Sequence, residues 1–485
     1  MFRFDNTYAR LPERFYARVT PAAVPKPELI AFNSELARRL GAPAESLPER
    51  ELASIFTGQK LLPGSEPISL AYAGHQFGQF VHQLGDGRAL LLGEVVDLSG
   101  RRRDIQLKGS GRTPFSRNGD GKAPLGPVLR EYLVSEAMHH LGLPTTRALA
   151  AALTGEPVYR ERVFPGAILT RVASSHIRIG TFEYFAAKRD MEALRRLTDY
   201  AIQRHYPEIQ EDSEADLLFF RKVGEAQVEL VTGWMALGFI HGVMNTDNMS
   251  IAGETIDFGP CAFMDRFRFD QVFSSIDQFG RYAYSNQPKI TLWNLSRLGS
   301  CLLLLAQTRE KEMAKTLEND MDSLGALFEQ RLIAKMLEKL GITQSTQPGD
   351  RELVLQWLRL LQTQQLDYTL SFRNLAHLVE SDSDSGFFQK TSAFQDFYQI
   401  WQKRLQSQGL EAGTIREKMN RVNPIYIPRN HRIEQVIAAA LAGDFSLFHE
   451  MNEVIETPFE EREKFNDYSL APRPDQVVHA TFCGT

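Results

Sequence analysis

The sequence predicts an α+β fold in which a smaller strand-rich lobe precedes a larger helical lobe. Three observations lead there. Residues 66–110 carry short apolar bursts separated by glycine, as in GQFVHQLGDGRALLLGEVVDLSGRRRDIQLKGSG, the pattern of strands joined by tight turns. A single helical stretch follows. From about 181 onward the apolar spacing is mostly helical. Strands with one helix first, then a mass of helices, is the order expected of segregated layers.

Composition bounds the reading. The chain has 485 residues, 43% hydrophobic and 24% charged, enough for a sizeable core in a two-lobed molecule. Net charge is −5 and no long basic run stands out, which argues against nucleic acid as the main partner. The opening MFRFDNTYARLPERFY is charged throughout and does not read as a signal peptide. The most apolar run, Cys301 to Ala306, is far shorter than a membrane span. A soluble cytoplasmic protein without a membrane partner is the expectation. Three cysteines argue against a disulfide scaffold, and Cys301 reads as core.

Taken in order, residues 1–65 form an opening segment with short helices, for example Glu28 to Leu40, closed by the turn-rich LLPGSEP. This extension, a lobe over 66–175 and a helical lobe over 176–485 are the expected parts. After the strands of 66–110 comes a helix with Pro127 in its first turn and Gly142 as its stop. Val128, Leu129, Tyr132, Leu133, Ala137 and Leu141 form its apolar face. Further strands are expected near Arg147–Leu153 and Gly166–Arg171. An apolar helix over Val228–Ile240 leads into a strand-and-loop island at 241–260. ESDSDSG (380–386) and NPIYIPRN (423–430) read as solvated loops.

The island carries the chemistry. It reads HGVMNTDN (His241–Asn248), then IDFG (Ile256–Gly259) after a short turn. A protein kinase holds magnesium with the Asn that ends its catalytic loop and the Asp of its DFG triplet. Asn248 and Asp257 have those identities, and hard oxygen ligands on adjacent loops suit a cation that bridges phosphates. The expected fold therefore becomes protein kinase-like. One departure stands out: Val243 occupies the place of the kinase catalytic Asp, and valine cannot accept a proton. Asp247 is the only nearby carboxylate, so either the base has moved or the reaction is not γ-phosphoryl transfer.

Upstream, GDGR (Gly85–Arg88) sits between strands where a phosphate-covering loop belongs, and Arg88 adds a fork of donors. IQLKGSG places Lys108 at the end of an alternating strand, the position of the kinase lysine that pairs with a helix glutamate. Glu131 and Glu136 both lie on the next helix, and periodicity does not choose between them. SGRTPFSRNGDG (Ser110–Gly121) reads as a loop over the nucleotide, with Asp120 and Gly121 at a turn. Arg171 and Arg178 in TRVASSHIRIG suit terminal phosphates that are held rather than transferred.

These stretches together resemble the selenoprotein O family, also called the YdiU or SelO pseudokinases. The matching text includes FDNTYARLPERFY, YAGHQFGQFVHQLGDGRA, QLKGSGRTPFSRNGDGKAPLGPVLREYLVSEAMHHLG, HGVMNTDNMS, TIDFGPCAFMD and NPIYIPRNH, and it spans the chain. The resemblance implies a kinase-like fold that binds ATP flipped relative to kinases. It also implies transfer of AMP to Ser, Thr or Tyr hydroxyls of proteins, self-modification included. It makes Gly85, Gly87, Arg88, Lys108, Asp120, Gly121, Arg171, Arg178 and Asp257 nucleotide contacts, and Glu131 the partner of Lys108. It makes Asn248 and Asp257 ligands of Mg2+ or Mn2+, and Asp247 the proton acceptor. A flipped nucleotide accounts for Val243: pyrophosphate leaves, and Lys108 with the arginines neutralises its growing charge.

Eukaryotic members of that family place selenocysteine near the C-terminus, where this chain resembles them with Cys483. Cys261 follows the DFG triplet closely, and a redox-gated disulfide between Cys261 and Cys483 is the resulting hypothesis. Two other functions compete with AMP transfer. One is a kinase with its base relocated to Asp247. The other is a nucleotide-binding pseudokinase scaffold, against which the retention of Lys108, Glu131, Asn248 and Asp257 speaks.

Overall fold

The computed structural model describes residues 1–42, 44, 47–344, 346–380 and 386–482. Its architecture is mixed α and β, with a sheet in the first third and helices through most of the rest. The strands are β1 (Tyr16–Arg18), β2 (Glu28–Phe32), β3 (Ile68–Leu70), β4 (Gly74–Gln76), β5 (Gln79–Val81), β6 (Ala89–Val96), β7 (Arg102–Lys108), β8 (Ala123–Pro124), β9 (Arg147–Tyr159), β10 (Val163–Ala173), β11 (Phe239–Ile240) and β12 (Ala262–Phe263). The first helices are α1 (Ser34–Arg39), α2 (Glu49–Phe56), α3 (Leu125–His140), α4 (Ile179–Ala187), α5 (Met191–His205), α6 (Ala215–Ala236), α7 (Gln287–Leu303) and α8 (Glu310–Lys339). Further helices follow to Ser469, among them Tyr368–His377, Asn430–Leu441 and Ser446–Glu456. Among the described residues no helix is long and apolar enough to cross a membrane.

The main sheet runs β1-β3-β6-β7-β10-β9-β2, with β8 paired to β10, and its pairings are antiparallel. Both edges come from the first 65 residues, so that segment is woven into the sheet. Glu28–Phe32, expected to be helical, is strand β2. Its residues pair with Ala150, Ala151, Ala152 and Leu153 of β9, and Asn33 then caps the short α1 through its side chain. An apolar run beside an unsatisfied sheet edge gains ladder hydrogen bonds that a helix there would forgo.

Helix α3 begins two residues before Pro127, and Gly142 follows it at φ +82°. Its expected apolar face is buried against the alanines of β9 and β10, Ala148, Ala151 and Ala167. Val436, Ala440, Phe448 and Met451, from the helices Asn430–Leu441 and Ser446–Glu456, join the same cluster, with the Phe448 ring 5.4 Å from that of Tyr132, and the Arg130 guanidinium pairs with Glu434. The last part of the chain thereby fixes the helix that carries Glu131.

Two other sequence readings change. The helix before the island ends at Ala236, and Phe239–Ile240 form β11, paired with β12 across the loops between them. NPIYIPRN is not solvated: Asn423, Tyr426, Ile427 and Arg429 are buried. Arg429 reaches Asp265 at 2.6 Å and Asp367 at 2.8 Å, and an apolar-aromatic segment with a paired arginine can cross the core where an unpaired one could not. Residues 381–385 of ESDSDSG lie outside the described residues, as does Cys483. Cys301 is buried in α7, as read from its apolar run, and burial pushes its thiol well above the usual range.

Candidate active site

The centre of the site is the carboxylate of Asp257, gripped by three cations from three elements. Lys108, the last residue of β7, lies 2.6 Å from Asp257 Oδ1 and 2.6 Å from Glu131 Oε2 of α3. Arg171 on β10 donates to Asp257 Oδ1 at 2.7 Å and to Glu131 Oε1 at 3.0 Å. Arg178, immediately before α4, donates to Asp257 Oδ2 at 2.9 Å. Burial alone would raise the Asp257 carboxyl, but Lys108, Arg171 and Arg178 hold it well below the usual range. Its backbone sits in the left-handed region at φ +64°, uncommon for a non-glycine residue and frequent at functional sites.

The strand register explains the meeting of Lys108 and Arg171. Lys108 stands opposite Leu169, Arg171 opposite Gln106, and Gln106 and Lys108 share one face of β7. The choice between helix glutamates resolves the same way. Glu131 faces Lys108, whereas Glu136 turns to Arg147 at 2.7 Å and accepts the Ala148 amide at 2.8 Å.

The loop after β11 supplies the second acid. Arg178 donates to the Asp247 carbonyl at 2.7 Å while holding Asp257, so one guanidinium bridges the two loops. Burial pushes the Asp247 carboxyl up to about 6, against the pull of Arg178. Its Oδ2 accepts from Gln76 at 3.3 Å, and its Oδ1 is buried with no hydrogen-bond partner among the described residues. Val243 is buried, and its carbonyl accepts from Asn248 Nδ2 at 3.0 Å, which leaves the Asn248 amide oxygen to face elsewhere. His241 has an architectural place, bonding the Ile256 carbonyl at 2.9 Å and stacking on Trp234.

The glycine turn sits close beneath the 110–121 loop. Gly85 has φ +78°, and a Cβ there would collide with the ring of Phe115. At Gly87 a Cβ would lie 2.8 Å from the Phe115 carbonyl oxygen. Ser116 Oγ donates to the Gly87 carbonyl, and Thr113 Oγ1 to that of Asp86 at 2.7 Å. Arg88 is half-buried beside them, its carbonyl accepting from Gly109 at 2.7 Å. Gly121, at φ +70°, lies against the Gly111 carbonyl with no room for a Cβ. Asp120 pairs with Arg160 rather than with the residues of the Asp257 cluster. It is exposed, and its bonds to Arg160 at 2.8 and 2.9 Å tie the loop to the β9–β10 hairpin.

Several residues here were not singled out from the sequence. Asp86, within GDGR, is buried, accepts from Gln106 at 3.0 Å and lies 3.7 Å from Arg178. Gln106 accepts from Arg171 at 2.7 Å, so a polar chain runs from the glycine turn to Asp257. Gln106 was findable, being a polar residue on the same strand face as Lys108. Tyr72 stacks 4.5 Å from the Arg178 guanidinium, and His75, Gln76 and Glu183 gather around 245–247. Their partners lie far along the chain, and no local spacing signals them.

Asn248 and Asp257 fit a divalent ion through oxygen donors. Among the described residues no group of three or more His, Cys, Asp or Glu side chains could form a closed metal cage. That donor set suits a hard divalent ion, Mg2+ or Mn2+, which can take one or two protein ligands and complete its shell with phosphate and water.

A lysine–glutamate pair, buried arginines and two aspartates gather near a glycine turn, and known proteins place the chain among the protein nucleotidyltransferases. It is 53% identical over 490 residues to the protein nucleotidyltransferase YdiU of Rhizobium meliloti, covering 100% of this chain and 99% of that one. The YdiU proteins of Agrobacterium fabrum and Nitrobacter winogradskyi are each 52% identical, over 100% of both chains and over 99% and 96%, respectively. Residues 1–456 match the family model described as protein adenylyltransferase SelO. The chain belongs to the SelO/YdiU protein adenylyltransferase family, and it is an enzyme of that class.

Proposed function

We propose that the chain, in a kinase-like two-lobed fold with parts at 1–65, 66–175 and 176–485, transfers AMP from ATP to Ser, Thr or Tyr hydroxyls of cytoplasmic proteins, itself included. The observation that carries this reading is the pairing of an apolar residue, Val243, at the kinase base position with a buried, partner-poor carboxylate at Asp247. The acceptor oxygen attacks the α-phosphorus, its proton passes to Asp247, and the α–β bridging P–O bond breaks with its electron pair on pyrophosphate. Lys108, Arg171 and Arg178 donate to the negative charge that builds on the departing phosphates. Those three cations already converge on Asp257, with Glu131 also holding Lys108 and Arg171, so little reorganisation precedes the chemistry. Gly85, Gly87, Arg88 and Gly121 shape the turn and loop that cover the nucleotide, with Asp120 fixing that loop from outside. Asn248 and Asp257 would hold Mg2+ or Mn2+, which supplies positive charge to the triphosphate oxygens.

Redox control by Cys261 and Cys483 belongs to the same reading. The Thr481 hydroxyl donates to the carbonyl of Pro260 at 2.6 Å, and its amide to Phe273 at 2.7 Å, so the tail returns beside buried Cys261. A non-reduced peptide map lacking a 261–483 cross-link after oxidation would rule this out.

Intact-mass spectrometry with ATP and magnesium tests the transfer itself. A gain of about 329 Da per site is expected for AMP, whereas about 80 Da would mean phosphate and a kinase.

A further inference from the structure

The hairpin β4–β5 is fastened to the loop bearing Asp247 at three successive residues. The Phe77 amide donates to Asn245 Oδ1 at 3.0 Å, the His75 amide to Thr246 Oγ1 at 2.7 Å, and Gln76 Nε2 to Asp247 Oδ2 at 3.3 Å. Glu183 of α4 grips the same contact from behind. Its Oε2 accepts from the Thr246 hydroxyl, and its Oε1 lies 2.5 Å from His75 Nδ1. The Tyr282 hydroxyl adds a bond to Asn245 Oδ1 at 2.5 Å.

This fastening has a directional consequence. Each strand of the hairpin has three residues, too few to be stable alone, so the side-chain bonds hold hairpin and loop as one body. Within that body the two oxygens of Asp247 differ: Oδ2 is tied to Gln76, and Oδ1 is not tied. Oδ1 is buried against Gly74, where a Cβ would stand only 2.6 Å away, so a side chain there would displace that oxygen. Glu183 lies within α4 and Arg178 immediately precedes it, so one helix links the acceptor side to the cation cluster.

We propose that the β4–β5 hairpin is the acceptor-side positioning element of the transferase. His75, Glu183 and Thr246 are its positioning residues, and they orient Asp247 so that Oδ1 meets the incoming hydroxyl. This rests on the AMP-transfer reading with Asp247 as proton acceptor. Because its side-chain bonds join 75–77, 183 and 245–247 and none reaches Lys108, Arg171 or Asp257, its loss slows the transfer step more than it weakens nucleotide binding.

The test measures the rate of AMP self-incorporation against ATP concentration for wild type, Thr246→Val, Thr246→Ser and His75→Ala, with melting temperatures recorded alongside. Valine keeps the volume of threonine and removes both hydroxyl bonds; serine restores them. Thr246→Val should lower the maximal rate on the order of 10²-fold, as small misplacements of a catalytic group do, with half-saturating ATP within about twofold of wild type. Thr246→Ser should recover most of that loss. If Thr246→Val does not fold, His75→Ala, at the partly exposed end of the network, should show the same split. Variants that keep the wild-type maximal rate, or that lose ATP affinity in step with it, overturn the positioning role while AMP transfer stands. A wild-type enzyme that adds phosphate, or adds nothing, removes the parent reading and this one with it.

Discussion

The Nη1 of Arg178 donates both to the backbone carbonyl of Asp247, at 2.7 Å, and to the carboxylate of Asp257, at 2.9 Å. The proposed proton acceptor and the proposed metal ligand are thus set against each other by a single planar group, itself stacked on Tyr72. Lysine at this position keeps the charge but has neither the fork nor the flat face. Arg178→Lys should reduce the initial rate of AMP incorporation by about 10²-fold, the loss typical of removing one oriented donor. Initial rates by radiolabel or intact mass check it; a loss below threefold would show the bridge to be dispensable.

Asp257 is where the three cations meet, so its removal acts on charge balance as well as on the proposed metal binding. Asp257→Ala leaves Lys108 and Arg171 with Glu131, and Arg178 with Asp86 at 3.7 Å. Breaking one side of buried ion pairs costs about 3–5 kcal/mol, so the melting temperature should fall while the fold persists. Transfer should drop by at least about 10³-fold, since ligand and cation anchor go together. Near-normal transfer with a normal melting curve would refute the role given to this residue.

How far the site could be read from the sequence depended on whether partners were local in pattern. Lys108, Asn248 and Asp257 sit in short strings of kinase-like residue types, and Arg171 and Arg178 sit in one string; the meeting of Lys108, Arg171 and Arg178 on Asp257 is what the structure adds. Glu131 and Glu136 are both polar interruptions of a helix that is buried on both sides, so no amphipathic stripe separated them; the sheet and Arg147 do. Asp86, Gln76 and Glu183 acquire their meaning only from partners brought by the fold. The misread elements have a common cause as well. Glu28–Phe32 and Phe239–Ile240 are short apolar runs, which fit strand or helix equally until a neighbouring edge decides. NPIYIPRN looked solvated because proline marks loops, yet its apolar residues and Arg429 find partners in the core.

Gly121 tests the cover over the glycine turn. Its left-handed backbone costs an L-residue about 1–2 kcal/mol, and a methyl would press on the Gly111 carbonyl besides. Gly121→Ala should therefore displace the 110–121 loop that carries Phe115 over Gly85. The expected result is a severalfold weaker affinity for a fluorescent ATP analogue and a melting temperature lower by a few degrees. Unchanged affinity would separate this loop from the nucleotide.

Lys339 gives a pH dependence of stability distant from the chemistry. It ends α8 with its ammonium 4.1 Å from the Phe372 ring centroid and 5.8 Å from that of Tyr368, and burial pulls its pKa down to about 7. The unfolded chain keeps that proton up to the ordinary value of 10.5. Between those two values the unfolded state binds more protons, so stability should rise with pH across this window. Below about pH 7 both states are charged, and the folded state carries the whole cost of the buried ammonium. Lys339→Met keeps the aliphatic stem and removes the charge, so it should stabilise the protein most at pH 6, by a few kcal/mol on the order of the shift. The gain should shrink steadily toward pH 10. Melting curves of both proteins from pH 6 to 10 decide it: parallel curves would mean that Lys339 keeps its proton in the fold through the ring contacts, and a crossing of the two curves below pH 7 would reverse the assigned sign.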